Sequence, residues 1–518
     1  MTNLLNNICI RVFKVCNWKS SFGVCFLIIV FGCSSPKTKH LYNVLDYGAI
    51  GDSQTLNTSN IQAAIDACSN NGGGTVYFPS GTYLSGTIQL KDNIHLYLDA
   101  GTTILASKEH KDFPRQKQPR YRSQKDSGGW FSLIYGVGLT NISITGQGTI
   151  DGNGVEQKPR LGLLGNDRDG RPRNLLFISC KKIKIEGITM RNSGIWNQHY
   201  LNCEDVFVNN INVYNHSNRN NDAIDIDGCR RVTISNSIFD SDDDGITLKS
   251  TGTAPTEDVA ITNCVISSYC NAIKAGTEST GGFKNIAISN CIIKPSRSKT
   301  PPIFDGVPKR GITGISLEIV DGGTMESIAI NNITIEGTQC PLYIRLGNRG
   351  RKHSNEAPEP QMGVMKNITI SNLIAYETGN FSNSITSIPG SYIENVSLHN
   401  IQIFNKGGLV EKDFIIDYAQ VKEEEKSYPQ PTVWGNLPSS LFFVRHVKNL
   451  VVSNLTFGSE NPDPRIPFVG IDVHNVSIGN FFYTGGSTSE TFALLRKQSA
   501  YSIDRPMNWE GKYWLDIK

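Results

Sequence analysis

The strongest constraint on this chain of 518 residues is a motif that returns at a nearly fixed period. Two β-formers separated by one residue lead to a spacer, then to Asn or Gly, then to another short β run. Early copies are Ile142-Ser-Ile144-Thr-Gly146, Ile183-Lys-Ile185-Glu-Gly187 and Val206-Phe-Val208-Asn-Asn210. The motif continues through Val232-Thr-Ile234-Ser-Asn236, Val259-Ala-Ile261-Thr-Asn263 and Ile286-Ala-Ile288-Ser-Asn290, and later copies end at Asn332, Asn372, Asn400, Asn454 and Asn480. From Gly187 to Asn290 the corner residues follow one another at 23, 26, 27 and 27 residues. Alternating β-branched residues at that period mean short strands buried on one face. No helical pattern lies between the copies, which excludes βαβ units. Stacked coils of an all-β, parallel β-helix solenoid fit, with equivalent positions about 4.8 Å apart. Asn at the corner tolerates a left-handed backbone and can hydrogen-bond along the stack.

The repeat also explains the cysteines. Cys203, Cys229, Cys264 and Cys291 recur at related places and are read as small buried hydrophobes, free thiols rather than disulfides. No CxxC pair points to zinc or redox chemistry. Ahead of the repeats, Asn57–Cys68 reads as a short capped helix with Ile61, Ala64, Ile65 and Cys68 as its apolar stripe, suited to cover the open end of a solenoid. Gly72-Gly-Gly74 is read as a turn, because no Gly-Lys-Ser/Thr follows. Interruptions at 106–135, 296–311, 347–364 and 406–442 are expected to be loops that wall a groove.

The formal net charge of +3 carries no functional message. Residues 1–32 hold Arg11, Lys14 and Lys19 and no acid, so of 50 basic and 47 acidic residues the remainder keeps 47 of each. A nucleic-acid partner would call for a basic stripe, and there is none. The apolar run Phe22–Val30 is too short to span a bilayer, for which about 20 residues are needed. It ends in Val30-Phe31-Gly32-Cys33 and resembles a bacterial lipoprotein signal, in which Cys33 becomes the acylated first residue; an ordinary cleaved signal is the plainer alternative. The expected organisation is a signal at 1–32, a tether at 33–42 and a single β-helix domain at 43–518. The mature chain is expected to be a monomer, exported and held by lipid at the outer membrane of a Gram-negative bacterium.

Chemistry is concentrated in two successive coils. Asn220-Asn-Asp222-Ala-Ile224 is followed by Asp242-Asp243-Asp244-Gly-Ile246. Asp222 and Asp244 each stand two residues before a strand Ile, so the repeat stacks them in one column with Asp243 alongside. Three crowded carboxylates cannot all ionise freely, and at least one pKa must rise. One protonated acid beside carboxylates that can hold a water is what glycosidic hydrolysis requires, with no metal or other cofactor. Asp240, Asp242 and Asp244 also match the start of a calcium loop, but the twelfth position is Thr251. Asp225 and Asp227 alternate with core Ile and are read as solvated.

These residues resemble the polygalacturonase family, glycoside hydrolase family 28. Asn220-x-Asp222 is similar to its N-T-D motif, and Asp243-Asp244-Gly-Ile-Thr-Leu-Lys249-Ser250 to D-D-C-I-A-I-K-S. Asn43–Asp52, Tyr428–Pro438 and Phe442–Asn449 extend the likeness along the chain. The resemblance implies a right-handed helix and inversion at the anomeric carbon, with Asp243 as general acid and Asp222 and Asp244 positioning and deprotonating water. Two departures stand out. Cys270-Asn271-Ala-Ile273-Lys274-Ala-Gly276 matches G-H-G-I-S-I-G with Asn271 in place of His, and Ser316-Leu-Glu318 falls where R-I-K is expected. Lys274 and Arg345 could restore charge toward substrate, and Trp196 with His199 could form a sugar platform. The reading is a hydrolase of pectic polysaccharide, with a rhamnogalacturonan-type polymer preferred over polygalacturonate. A lyase on the same fold and a non-catalytic carbohydrate-binding solenoid are the rivals.

Overall fold

A computed structural model describes residues 41–116, 121–124, 130–157, 170–298, 311–513 and, for the backbone, 515–517. The signal, the tether up to residue 40 and Cys33 lie outside the described residues, as does most of the 296–311 interruption. The named strands pair in parallel into three ladders that run through the described residues from Leu41 onward, giving a right-handed parallel β-helix.

One ladder carries the repeat itself. Ile142, Ile183, Val206, Val232, Val259 and Ile286 lie in direct register, two residues ahead of a second buried column from Ile144 to Ile288. Inward residues are almost fully enclosed and outward ones, among them Lys184, Phe207, Thr233 and Ala260, are exposed, the alternation that a one-sided strand imposes. Each buried Val or Ile contributes roughly 1.5–3 kcal/mol by leaving water. The turn after each strand needs a left-handed residue, and the corner asparagines from Asn210 to Asn480 all take φ between 52° and 57°. Their amides bond from coil to coil, for instance Asn263 Nδ2 to Asn236 Oδ1 at 3.2 Å and Asn400 Nδ2 to Asn372 Oδ1 at 2.8 Å. The eight cysteines from Cys68 to Cys340 are buried free thiols.

The α-helix Thr58–Asn70 closes one end with the expected stripe of Ile61, Ala64, Ile65 and Cys68. Its cap differs from expectation. Asn57 makes no side-chain cap bond; its side chain instead accepts from Ile50 N at 2.7 Å and donates to Ile50 O at 2.9 Å, fastening the preceding turn. At the other end Phe457, Phe481, Phe492 and Trp509 form an aromatic plug, with Phe492 and Trp509 centroids 5.8 Å apart.

Candidate active site

The third ladder builds the site. Its strands Gln198–Leu201, Ile224–Asp227, Ile246–Ser250, Asn271–Ser279 and Thr313–Ile319 are buried along their whole length, so both faces are covered. Register pairs Ile224 with Ile246 and Ile246 with Ile273. The residues two positions earlier, Asp222, Asp244 and Asn271, therefore form one column. Backbone bonds carry the ladder through it, from Ala223 N to Asp244 O at 3.0 Å and from Gly245 N to Asn271 O at 2.8 Å.

Each carboxylate meets different company. Asp243 is the half-buried one. Its Oδ1 accepts from Asp244 N at 2.9 Å and its Oδ2 from Asn220 Nδ2 at 3.2 Å. Asp244 Oδ1 accepts from Asn271 N at 3.2 Å and Asn271 Nδ2 at 2.6 Å, while its Oδ2 pairs with Lys274 Nζ at 3.2 Å. Asn271 is fixed in turn by Thr313 Oγ1, which donates to its Oδ1 at 2.7 Å. It is a support for Asp244 in the position the family gives to His. Lys249 Nζ stands 3.4 Å from Asp225, 3.6 Å from Glu278 and 3.8 Å from Asp222.

The acids outnumber the cations here, and burial decides where protons stay. Burial, reinforced by the charges of Asp225 and Asp243, pushes Asp222 well above the ordinary carboxylate range. Burial and then the charge of Asp244 raise Asp243. Asp225 rises to about 7 and Asp242 to about 8, burial being the main cause in both. Burial opposes the charge of Lys249, but Glu278, Asp225 and Asp222 outweigh it and hold the ammonium well above its usual pKa. The same balance, with Asp244 and Glu318 as the main partners, raises Lys274. A protonated carboxyl next to charged ones at neutral pH is the equipment for acid–base work.

Several sequence expectations need correction. Asp225 and Asp227 are fully buried, not solvated. Asp225 faces Lys249, and Asp227 accepts from Thr251 Oγ1 at 2.7 Å and meets His199 Nε2 at 3.1 Å. His199 is therefore no sugar platform: it is wholly enclosed, and burial holds its pKa down near 4. Trp196 is 8% exposed, with Lys249 Nζ 4.6 Å and the Arg173 guanidinium 5.0 Å from its ring centre, so its ring covers these cations instead of forming an open platform. Arg345 does not face a substrate either. It lies two coils beyond Lys274 and its terminal nitrogens donate to the carbonyls of Ser387, Glu423 and Glu424 and to Thr386.

The calcium-loop pattern does not assemble. Asp240 turns to His216, Ser296 and Arg297, away from Asp244's partners. Among the described residues, Asp243, Asp244 and Cys270 bring potential metal-ligand atoms within 4.8 Å of one another. Lys274 already supplies positive charge there. The residues that sequence reading missed are Asp225, Lys249, Glu278 and Tyr428. The register that pairs Lys249 with the acidic Asp227 in the adjacent strand was the available signal for Lys249.

Residues 68–423 match the family model "Glycosyl hydrolases family 28". A "Probable polygalacturonase" of Vitis vinifera is 32% identical over 219 residues, covering 41% of this chain and 44% of that protein. An "Exo-poly-alpha-D-galacturonosidase" of Dickeya chrysanthemi is 29% identical over 250 residues, 40% of this chain and 41% of its own length. The chain thus spans less than half the length of these curated relatives. Among solved structures, the hyperthermoactive exopolygalacturonase of Thermotoga maritima superposes with a TM-score of 0.58 at 24% identity, over 70% of this chain and 87% of that one. The family 28 exopolygalacturonase of Yersinia enterocolitica also gives 0.58, at 18% identity, over 90% of this chain and 78% of that one. Both likenesses are of fold.

Proposed function

The chain belongs to glycosyl hydrolase family 28, and from that membership we propose that it is an inverting hydrolase of a galacturonate-containing pectic polysaccharide. The observation that carries the reading is the stacked Asp222–Asp244 column with half-buried Asp243 beside it. Asp243, the most open of the three and raised by burial, donates its proton to the leaving oxygen. Asp244, gripped by Asn271 and Lys274, accepts a proton from the attacking water, and Asp222 helps to hold that water. A lyase would need a basic group to remove the C5 proton. The two lysines at the centre, Lys249 and Lys274, are held firmly protonated by their acids, which favours hydrolysis over elimination.

The departures from the family narrow the substrate. Lys274 pairs in register with Ser316, whose Oγ donates to Glu318 Oε1 at 2.6 Å. Burial raises Glu318 to about 7, and the charge of Lys274 is shared between Asp244 and Glu318. With Lys274, Ser316 and Glu318 only 2%, 0% and 1% exposed, this position offers a substrate carboxylate no free cation, and the carboxylate forgoes a charge-assisted bond of about 1.5–3 kcal/mol. That is tenfold or more in kcat/KM. The deciding experiment incubates the protein with polygalacturonate and with a polymer alternating rhamnose and galacturonate, and follows the first product by NMR. We expect at least tenfold faster cleavage of the alternating polymer and a first product of inverted anomeric configuration. Retention would sink the mechanism; unsaturated products would replace it with a lyase. Preference for polygalacturonate would instead move the carboxylate contact to Arg349, which lies half-buried against the ring of Tyr428 with 5.2 Å to its centre.

The same proposal takes residues 1–32 as a signal, 33–42 as a tether and 43–518 as the catalytic unit, a monomer anchored in the outer membrane through lipid on Cys33. The apolar run ending at Cys33 supports it. Mass spectrometry of the mature N-terminus is expected to find acylated Cys33, and Cys33→Ala to release the protein from membranes. An unmodified N-terminus elsewhere would refute the anchor.

A further inference from the structure

The insertion at 406–442 contains a stretch of backbone with an unusual fate: five consecutive carbonyls are captured one after another. Val421 O accepts from Arg445 Nη1 at 2.8 Å and Lys422 O from Arg445 Nη2 at 2.9 Å. Glu423 O and Glu424 O accept from Arg345 Nη2 at 2.6 and 3.2 Å. Glu425 O accepts from Asn348 N at 2.7 Å. A non-helical, unpaired segment has no ladder of its own, so these donors replace the one it lacks.

The two arginines are placed for this task by the coil register. Arg345 pairs with Thr386 and Thr386 with Arg445, so both guanidinium groups project from one column, two coils apart. Both are almost fully buried, at 2% and 3% exposure. Removing a guanidinium from water is costly unless its donors are met, and here backbone oxygens take the terminal nitrogens of both, Arg445 Nε alone of the Arg445 donors having no partner. Arg445 adds an ion pair to the Glu423 side chain at 3.2 Å. The segment fastened in this way ends at Tyr428. The Tyr428 hydroxyl lies 3.2 Å from Lys274 Nζ and 3.3 Å from Thr277 Oγ1, and Lys274 is the partner of Asp244.

We propose that Arg345 and Arg445 are positioning residues, a clamp that docks segment 421–428 so that Tyr428 holds Lys274 against Asp244. The clamp acts on chemistry through the loop and touches no substrate. The catalytic part of the proposal rests on Asp244 acting as described above; the docking part does not.

The two parts are read separately. Trypsin tests docking at Lys422 and Lys426, whose side chains are exposed while the backbone around them is held. Arg345→Met and Arg445→Met are expected to speed cleavage in this segment at least tenfold, with the rest of the chain intact on gels. They are also expected to lower kcat about tenfold on whichever pectic polymer the wild type cleaves best. Arg345→Lys and Arg445→Lys, which keep charge but lose the fork, guard against a variant that fails to fold and are expected to fall between. Tyr428→Phe separates positioning from mere structure: the loop stays protected, kcat falls about tenfold, and KM changes less than kcat. Loops that remain protected in all four arginine variants overturn the clamp. A released loop with wild-type kcat, or Tyr428→Phe with wild-type kcat, overturns its role in positioning Lys274. Should the wild type cleave no pectic polymer, the function proposed above falls, while the trypsin result still decides the docking.

Discussion

Asp243→Asn is expected to cut turnover by about 10²–10⁴-fold, the usual range for a general acid. That corresponds to roughly 2.7–5.5 kcal/mol of transition-state stabilisation. The substitution keeps the shape, and an amide oxygen can still accept from Asp244 N as the carboxylate does at 2.9 Å. It also removes an acid that burial and the charge of Asp244 already strain. The folded protein is therefore expected to be as stable as wild type or slightly more so, the usual trade between function and stability at such a site. Parallel kinetics and unfolding of the purified variant check both halves. More than about a tenth of wild-type turnover remaining would remove Asp243 from the role of acid.

The second large effect is on stability. Lys249→Met takes the one ammonium from among Asp222, Asp225 and Glu278, whose side chains are 4%, 0% and 8% exposed. Breaking a buried ion pair from one side leaves uncompensated charge and costs about 3–5 kcal/mol. Its pH dependence has a definite sign. Asp222 and Asp225 bind protons more tightly folded than unfolded, since Asp225 already stands at about 7 with Lys249 present and burial holds Asp222 well above the ordinary carboxylate range. Their penalty is absent below the unfolded value of about 3.9 and grows as pH rises towards the folded value. Unfolding by urea should thus show a deficit for Lys249→Met that is large at pH 8 and smaller at pH 5. Equal deficits at both pH values would mean that lost packing against the Trp196 ring, not charge, sets the cost.

What the sequence revealed follows from what a period can encode. The spacing of Ile142 to Ile288 fixed which residues face inward, and the corner asparagines marked the left-handed turns. Counting back from Ile224 and Ile246 placed Asp222 and Asp244 in one column. The same alternation misled for Asp225 and Asp227. It tells inside from outside of the coil, but not whether the outside is itself covered. Here Lys249, Trp196 and Glu278 roof it over, so outward acids are buried acids. Trp196 and His199 failed as a platform for the same reason. Tyr428 was out of reach altogether: it arrives at Lys274 from 154 residues away, through an insertion whose path no repeat describes. Arg345 looked like a substrate cation because its motif shows charge and not the carbonyls that consume it.

The corner asparagines give the solenoid a direction. In each bond of the column the amide nitrogen belongs to the later coil and the oxygen to the earlier one, from Asn263 and Asn236 through Asn332 and Asn290 to Asn480 and Asn454. A second row, from Asn285 and Asp258 to Asn475 and Asn449, points the same way. Side-chain dipoles aligned in this manner add along the coils that carry asparagine, so the stack is polar and its two open strand edges are not equivalent. Like ends do not match, but opposite ends do. An uncapped copy would thus recruit the next head to tail, a contact that never closes on itself and grows into a fibre instead of a dimer. On that view the helix Thr58–Asn70 and the plug around Trp509 are stoppers on a polar rod, and losing either one exposes a growing tip.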